Sequence, residues 1–217
     1  MIRSLSTLMG STVHATDGEI GKALNFLFDD RTWTIRYLVV ETGTWMTRHA
    51  VLIAPEAVEP PDWDKRALTV RLTREQVDKS PDVDTERPVS RQHEIEMSRY
   101  YGWAAYWALE PSFLTALPSS RADEPGEIGK ADQHLFSVRD VSRYAVCCAP
   151  EELGRVEEFF VDDRTWRIVD VEVNTGTRSG KHKLLFSTSL TESVEWKPQR
   201  IVFRRCPDTL FASKAAG

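Results

Sequence analysis

The sequence predicts a mainly β protein made of two copies of one small antiparallel β domain. Three observations carry that expectation. Asp29-Asp30-Arg31-Thr32-Trp33 recurs letter for letter as Asp162-Asp163-Arg164-Thr165-Trp166, 133 positions later. Both copies lie between strand-like runs, Lys22 to Phe28 with Thr34 to Glu41 and Arg155 to Val161 with Arg167 to Asn174. A polar connection between two such runs reads as a hairpin loop. The same ungapped offset pairs Gly21 with Gly154, Phe26 with Phe159, Ile35 with Ile168, His49 with His182 and Trp63 with Trp196. Equal loop lengths imply the same fold drawn twice, with units over 1–80 and 135–217 and a linker over 81–134.

In the first unit, Val13 to Ala15 reads as a short strand and Asp17-Gly18 as the turn that follows it. Lys22 to Phe28, the five-residue loop and Thr34 to Glu41 come next, then a turn at Thr42-Gly43-Thr44 and a strand over Arg48 to Ile53. Pro55 to Val58 suits one helical turn, and Leu68 to Leu72 a last strand. Thr73 to Ser80 suits a terminal helical turn, with Thr73 as N-cap and Gln76 as its capping-box partner. Short strands at this spacing indicate a small barrel or sandwich. About 70 residues bury only a modest core, so each copy is expected to lean on something else.

Thr16-Asp17-Gly18-Glu19-Ile20-Gly21-Lys22, with Phe28-Asp29-Asp30, Tyr37-Leu38-Val39-Val40 and Val51-Leu52-Ile53-Ala54-Pro55, resembles the PRC-barrel family. That module occurs in the photosynthetic reaction-centre H subunit and at the end of the ribosome-maturation factor RimM. The likeness covers most of residues 5–75 and, more loosely, 135–208. It implies two six-stranded antiparallel barrels that make protein–protein contacts, as in stand-alone bacterial members with two such domains. It brings no catalytic residues with it.

The linker changes composition twice. Pro81 to Pro88 is charged and proline-bounded and reads as loop; Ser90 then offers an N-cap for a helix over 90–101 that stops at Gly102. Residues 100–107 hold five aromatics: Tyr100, Tyr101, Trp103, Tyr106 and Trp107. They suit packing beneath the barrels, a partner-binding patch, or stacking of bases or sugars. Residues 117–132 are too poor in apolar side chains to fold alone and read as a flexible tether.

The two copies differ in an informative way. Val169, Val171 and Val173 alternate with Asp170, Glu172 and Asn174, which places the valines inside and the polar residues in water. The first copy has Tyr37 and Val39 where the second has Asp170 and Glu172, and likewise Leu24 for Glu157 and Ala50 for Lys183. An outer face of the first unit is therefore expected to be covered, by the other unit, the aromatic helix or a second chain. Leu24, Tyr37, Val39 and Ala50, with Tyr100, Tyr101, Trp103, Tyr106 and Trp107, form the candidate interaction surface. The paired tryptophans Trp33, Trp63, Trp166 and Trp196 are expected to cap the two units. Ala149-Pro150-Glu151 replaces Thr16-Asp17-Gly18 in the second copy, so the hairpin there is expected to differ.

Composition excludes several classes. A formal net charge of −5 argues against non-specific nucleic-acid binding. No run reaches the roughly 18 apolar residues of a membrane-spanning helix, and the amino terminus lacks a signal-peptide core. Cys147, Cys148 and Cys206 are an odd count, read as small hydrophobes without a disulfide framework and as pointing to a reducing, cytoplasmic setting. His93 and Glu96 share a helix face but lack the second histidine of a zinc-protease pattern. No catalytic set, cofactor or metal site is expected. The expectation is a non-enzymatic interaction or assembly module with a protein partner, acting as a homodimer. RNA or ribosome association, and docking beside a membrane complex, are the alternatives the resemblance brings.

Overall fold

The computed structural model describes residues 1–43, 49–81, 91–103, 135–148, 151–176 and 183–206. The protein is mainly β. Thirteen strands run in chain order: β1 (Ile2–Ser4), β2 (Thr12–Ala15), β3 (Gly18–Asp29), β4 (Thr34–Thr42), β5 (His49–Ile53), β6 (Ala67–Thr69), β7 (Leu135–Ser137), β8 (Ala145–Cys148), β9 (Glu151–Asp162), β10 (Arg167–Asn174), β11 (Lys183–Ser187), β12 (Thr191–Glu195) and β13 (Arg200–Phe203). Among the described residues three α-helices accompany them: α1 (Arg74–Asp78), α2 (Arg91–Tyr101) and α3 (Val138–Val141). Among the described residues all strands belong to one sheet, ordered β12-β13-β8-β9-β10-β4-β3-β2-β6, an open path that does not return on itself, so the expected closure into two separate barrels is not seen.

The 133-residue offset runs through the hydrogen bonding. In the first half β3 pairs antiparallel with β2 and β4, β4 pairs with β5, and β2 pairs parallel with β6. In the second half β9 pairs with β8 and β10, β10 with β11, and β8 parallel with β13. The halves also exchange a strand. β1 pairs with β9, matching Ile2 to Asp162 and Ser4 to Phe160, while β7 pairs with β3, matching Leu135 to Asp29 and Ser137 to Leu27.

Gly21 and Gly154 recur because nothing larger fits. At Gly21 (φ +152°) a Cβ would lie 1.9 Å from the Glu41 carbonyl oxygen, and at Gly154 (φ +155°) 2.0 Å from that of Asn174. The close approach lets the long strand cross its neighbour's backbone.

Helix α1 begins as the sequence indicates. The Thr73 hydroxyl accepts from the Gln76 N–H at 3.2 Å and the Gln76 side chain accepts from the Thr73 N–H at 2.9 Å. Helix α2 ends at Gly102, whose φ of +69° is the left-handed conformation of a helix stop. Val169 departs from the expected alternation. A register shift between Ile168 and Asp170 puts Ile168, Val171 and Val173 in the core and leaves Val169 half-buried. The second hairpin keeps the first one's register in spite of its different letters: Cys148 pairs with Glu151 as Ala15 pairs with Gly18. Residues 149–150 lie outside the described residues.

The core does not divide between the halves. Phe28 lies 5.0 Å from Trp33 in a stacked pair and 6.2 Å from both Phe136 and Phe159, and Phe26 lies 6.2 Å from Trp166. Buried residues from both halves, these rings among them, belong to one continuous core cluster. One cysteine expectation is corrected. Cys148, at the end of β8, and Cys206, just beyond β13, are joined by a disulfide, while Cys147 is a free thiol on the other side of β8. The parallel β8–β13 ladder pairs Cys148 with Phe203 and so brings Cys206 within reach. An odd count allowed one bridge and one free thiol.

Candidate interaction site at the joint of the halves

The repeated pentapeptide builds the joint. In the first copy the Asp29 carboxylate accepts from the N–H groups of Arg31 (3.0 Å) and Thr32 (2.9 Å), and the Asp29 carbonyl accepts from Trp33 N–H at 2.7 Å. These bonds wind a four-residue loop that ends with Trp33 in the left-handed region, φ 56°. That conformation costs a bulky residue about 1–2 kcal/mol. Stacking of the indole on Phe28 and a bond across the joint offset it: Trp33 C=O accepts from Ile168 N–H at 2.7 Å. The second copy answers in kind. Trp166 also sits at φ 56°, its N–H donates to the Asp162 carbonyl at 2.9 Å, and its own carbonyl accepts from Ile35 N–H at 2.8 Å. The Arg164 N–H donated to Asp162 holds that carboxyl below the usual carboxylate range.

A polar clasp secures each exchanged strand. Asn25 donates from Nδ2 to Ser137 Oγ at 2.7 Å, and its Oδ1 accepts from Phe26 N–H (2.8 Å) and Arg139 N–H (3.1 Å). Glu158 stands 133 positions on and does the same work as a pure acceptor. Its carboxylate receives Ser4 Oγ (2.6 Å), the Ser6 N–H (3.2 Å), the Ser6 hydroxyl, and Phe159 N–H (2.9 Å). An amide meets one hydroxyl on α3's side; a carboxylate meets two on the amino-terminal side.

Beside the joint lies a cavity of about 680 Å³. Its walls are β4 from Thr34 to Tyr37, the segment after β5 with Pro55, Pro60, Pro61 and Trp63, the end of α2 with Ser98 and Trp103, and the second half's loop from Asp163 to Trp166. Trp63, Trp103 and Trp166 are all half-buried. The Arg3 guanidinium lies over the Trp63 ring, 5.8 Å from its centroid. Arg36 and Arg164 add cationic side chains to the wall, and Glu56, Glu59 and Asp163 add carboxylates. Such a wall offers broad apolar faces and polar groups at the rim, with donors and acceptors both present.

Of the residues singled out from sequence, Tyr37 and Val39 are buried beneath α2 in a cluster with Leu27, Leu52, Ala54, Met97 and Leu135. Leu24, Ala50, Tyr101 and Trp103 pack at its edges. Burial pushes the Tyr101 hydroxyl up to about 12, and its ring stacks on Trp103 at 4.2 Å. Tyr100 is exposed, and its hydroxyl donates to the Gln76 carbonyl at 2.8 Å, tying α2 to α1. Tyr106, Trp107, the tether over 117–132 and His182 lie outside the described residues.

The four matched tryptophans part company: Trp33 is core, Trp63 and Trp166 line the cavity, and Trp196 is exposed. Arg36, Arg164 and the three prolines were not among the candidate surface residues read from sequence. They come from separate segments, and only the doubled loop hinted at the joint. Among the described residues no group of three His, Cys, Asp or Glu side chains is placed to hold a metal ion, and no helix is long and apolar enough to cross a membrane. No protein-family model matches the chain, and no curated protein matches it.

Proposed function

We propose that the chain is a non-enzymatic protein–protein interaction or assembly module built from two PRC-like β-barrels, an aromatic linker helix and a shared joint, acting in the cytoplasm as a homodimer. The observation that carries this reading is the indole-lined cavity between the halves. Tryptophan faces around a pre-formed depression are the usual anchors of protein interfaces, and Trp63, Trp103 and Trp166 come from three separate elements to line one such depression. The doubled Asp-Asp-Arg-Thr-Trp loop, whose second copy forms one wall, gives the cavity a rigid floor.

The test uses the full chain, immobilised, with native lysate passed over wild type and Trp63→Ala. A partner retained by wild type and released by the variant is expected. Identical sets of retained proteins, with the variant's circular dichroism unchanged, would overturn the role of the cavity. Light scattering on the same preparations is expected to give the mass of a dimer. Trapping of thiols in intact cells is expected to place the Cys148–Cys206 pair in its compartment.

A further inference from the structure

The offset that relates the halves also relates their outer sheet faces, and one is covered while the other is bare. In the first half Leu27, Tyr37, Val39, Leu52 and Leu135 lie under Met97 of α2, and Leu52 is fully buried. Their counterparts 133 positions away are Phe160, Asp170, Glu172, Leu185 and, for Leu135, Ile2. These occupy one face: Ile2 and Ser4 share a side of β1, Ser4 pairs with Phe160, Phe160 with Asp170, and Glu172 with Leu185. Leu185 is 55 % exposed and Ile2 57 % exposed.

The charges around that face state what it would accept. Lys183 Nζ is 2.7 Å from Glu172 and 3.4 Å from Glu157. Asp170 is half-buried, and its carboxylate has no hydrogen bond or ion pair among the described residues. Arg205 and Cys206 line the far end of the depression that holds Asp170 and Leu185. A partly desolvated carboxylate without a partner, beside exposed apolar side chains, is complementary to a cation on an apolar stem.

We propose that the Ile2–Phe160–Leu185 face of the second half is a seat for an amphipathic helix of a protein partner, laid as α2 lies on the first half, with its apolar stripe on those residues and a Lys or Arg on Asp170. The inference rests on the reading of the chain as an interaction module, through a surface separate from the joint cavity. The partner's recognition signature is apolar residues at i, i+3/i+4 and i+7 flanked by basic ones.

The probe is a labelled amphipathic peptide of about 18 residues, long enough to hold a helix, with a leucine stripe flanked by lysines. Its counterpart carries glutamates in place of the lysines. Fluorescence anisotropy against the full chain is expected to show saturable binding of the basic peptide and little of the acidic one. Leu185→Asp and Asp170→Lys, each checked by circular dichroism to be folded as wild type, are expected to weaken binding by about tenfold or more. Trp63→Ala is expected to bind the peptide as wild type does, so loss of lysate capture in that variant and loss of peptide binding report on different surfaces. Absence of binding by the basic peptide, equal binding of both peptides, or affinity unchanged in Leu185→Asp and Asp170→Lys would each overturn the proposal.

Discussion

The carbonyl of Trp33 accepts a hydrogen bond from the backbone N–H of Ile168, 2.7 Å away across the joint. The mirror bond, Ile35 to Trp166, measures 2.8 Å, and Thr34 pairs with Arg167 between them. An approximate two-fold axis therefore passes through the β4–β10 contact, and the doubled pentapeptide is the piece of sequence that makes it. A single chain thus builds a contact of the kind that two identical subunits make, in which each contributes the same patch. The two halves nevertheless differ in their outer faces: that of the first is buried under Met97 of α2, while Leu185 and Ile2 of the second are exposed.

The clasp at Glu158 predicts a graded response. Glu158→Ala removes the acceptor for Ser4, Ser6 and the Phe159 N–H together, and buried or half-buried donors left without an acceptor cost about 1–3 kcal/mol. Glu158→Asn installs the residue that the first half uses at the same station, Asn25, and is expected to recover a large part of the loss. Urea midpoints rank the three proteins. Hydrogen exchange at residues 2–4 is expected to rise in the alanine variant alone, because among the described residues β1 pairs with β9 alone.

Much of this architecture was legible from letters. The mainly β class, the strand runs and the α1 capping box each rest on local patterns, and local patterns survive translation into structure. Gly21 and Gly154 were paired by offset, and their reason is a backbone approach that any side chain would block. The strand exchange was not legible. Ile2–Ser4 and Leu135–Ser137 share only a serine, and a three-residue strand carries no period to detect. Val169 misled because a bulge adds a residue without altering composition. The disulfide was missed because its partners are 58 positions apart and meet only through a parallel ladder. The cavity draws on four segments, so no window of sequence contains it.

The disulfide makes a second prediction. Where the first half ties its hairpin to the next element by Thr16 N–H and hydroxyl bonds to the Leu72 carbonyl, 2.9 and 3.2 Å, the second half uses a covalent link between Cys148 and Cys206. A loop of this length confines the unfolded chain by roughly 4 kcal/mol at most. Cys206→Ser is expected to lower the urea midpoint, and reductant is expected to bring wild type down to the same value. Cys147→Ser is expected to leave the midpoint unchanged, since Cys147 holds no bridge. Equal midpoints for wild type with and without reductant would remove the bridge from the stability of the fold.

Asp170 gives the pH-dependent case. Burial raises its carboxyl above the ordinary aspartate range, and no cation is paired with it among the described residues, although Lys183, Arg205, Glu172 and Glu157 stand on the same face. The folded protein therefore holds this proton to a higher pH than the unfolded chain does. Between the two values the native state binds more protons, so stability falls as pH rises through that window and the deficit persists above it. Asp170→Asn removes the ionised form and is expected to raise the thermal midpoint at pH 7. The gain is expected to disappear below the ordinary aspartate range, about pH 3.9, where both states of the wild-type residue are neutral. Binding of the lysine-flanked helical peptide supplies the missing cation, so with peptide bound the advantage of Asn over Asp at pH 7 is expected to shrink or reverse. Thermal scans at pH 3 and pH 7, with and without peptide, check both halves of the argument. A gain from Asn that is the same at the two pH values would show that the carboxylate's charge is not its cause.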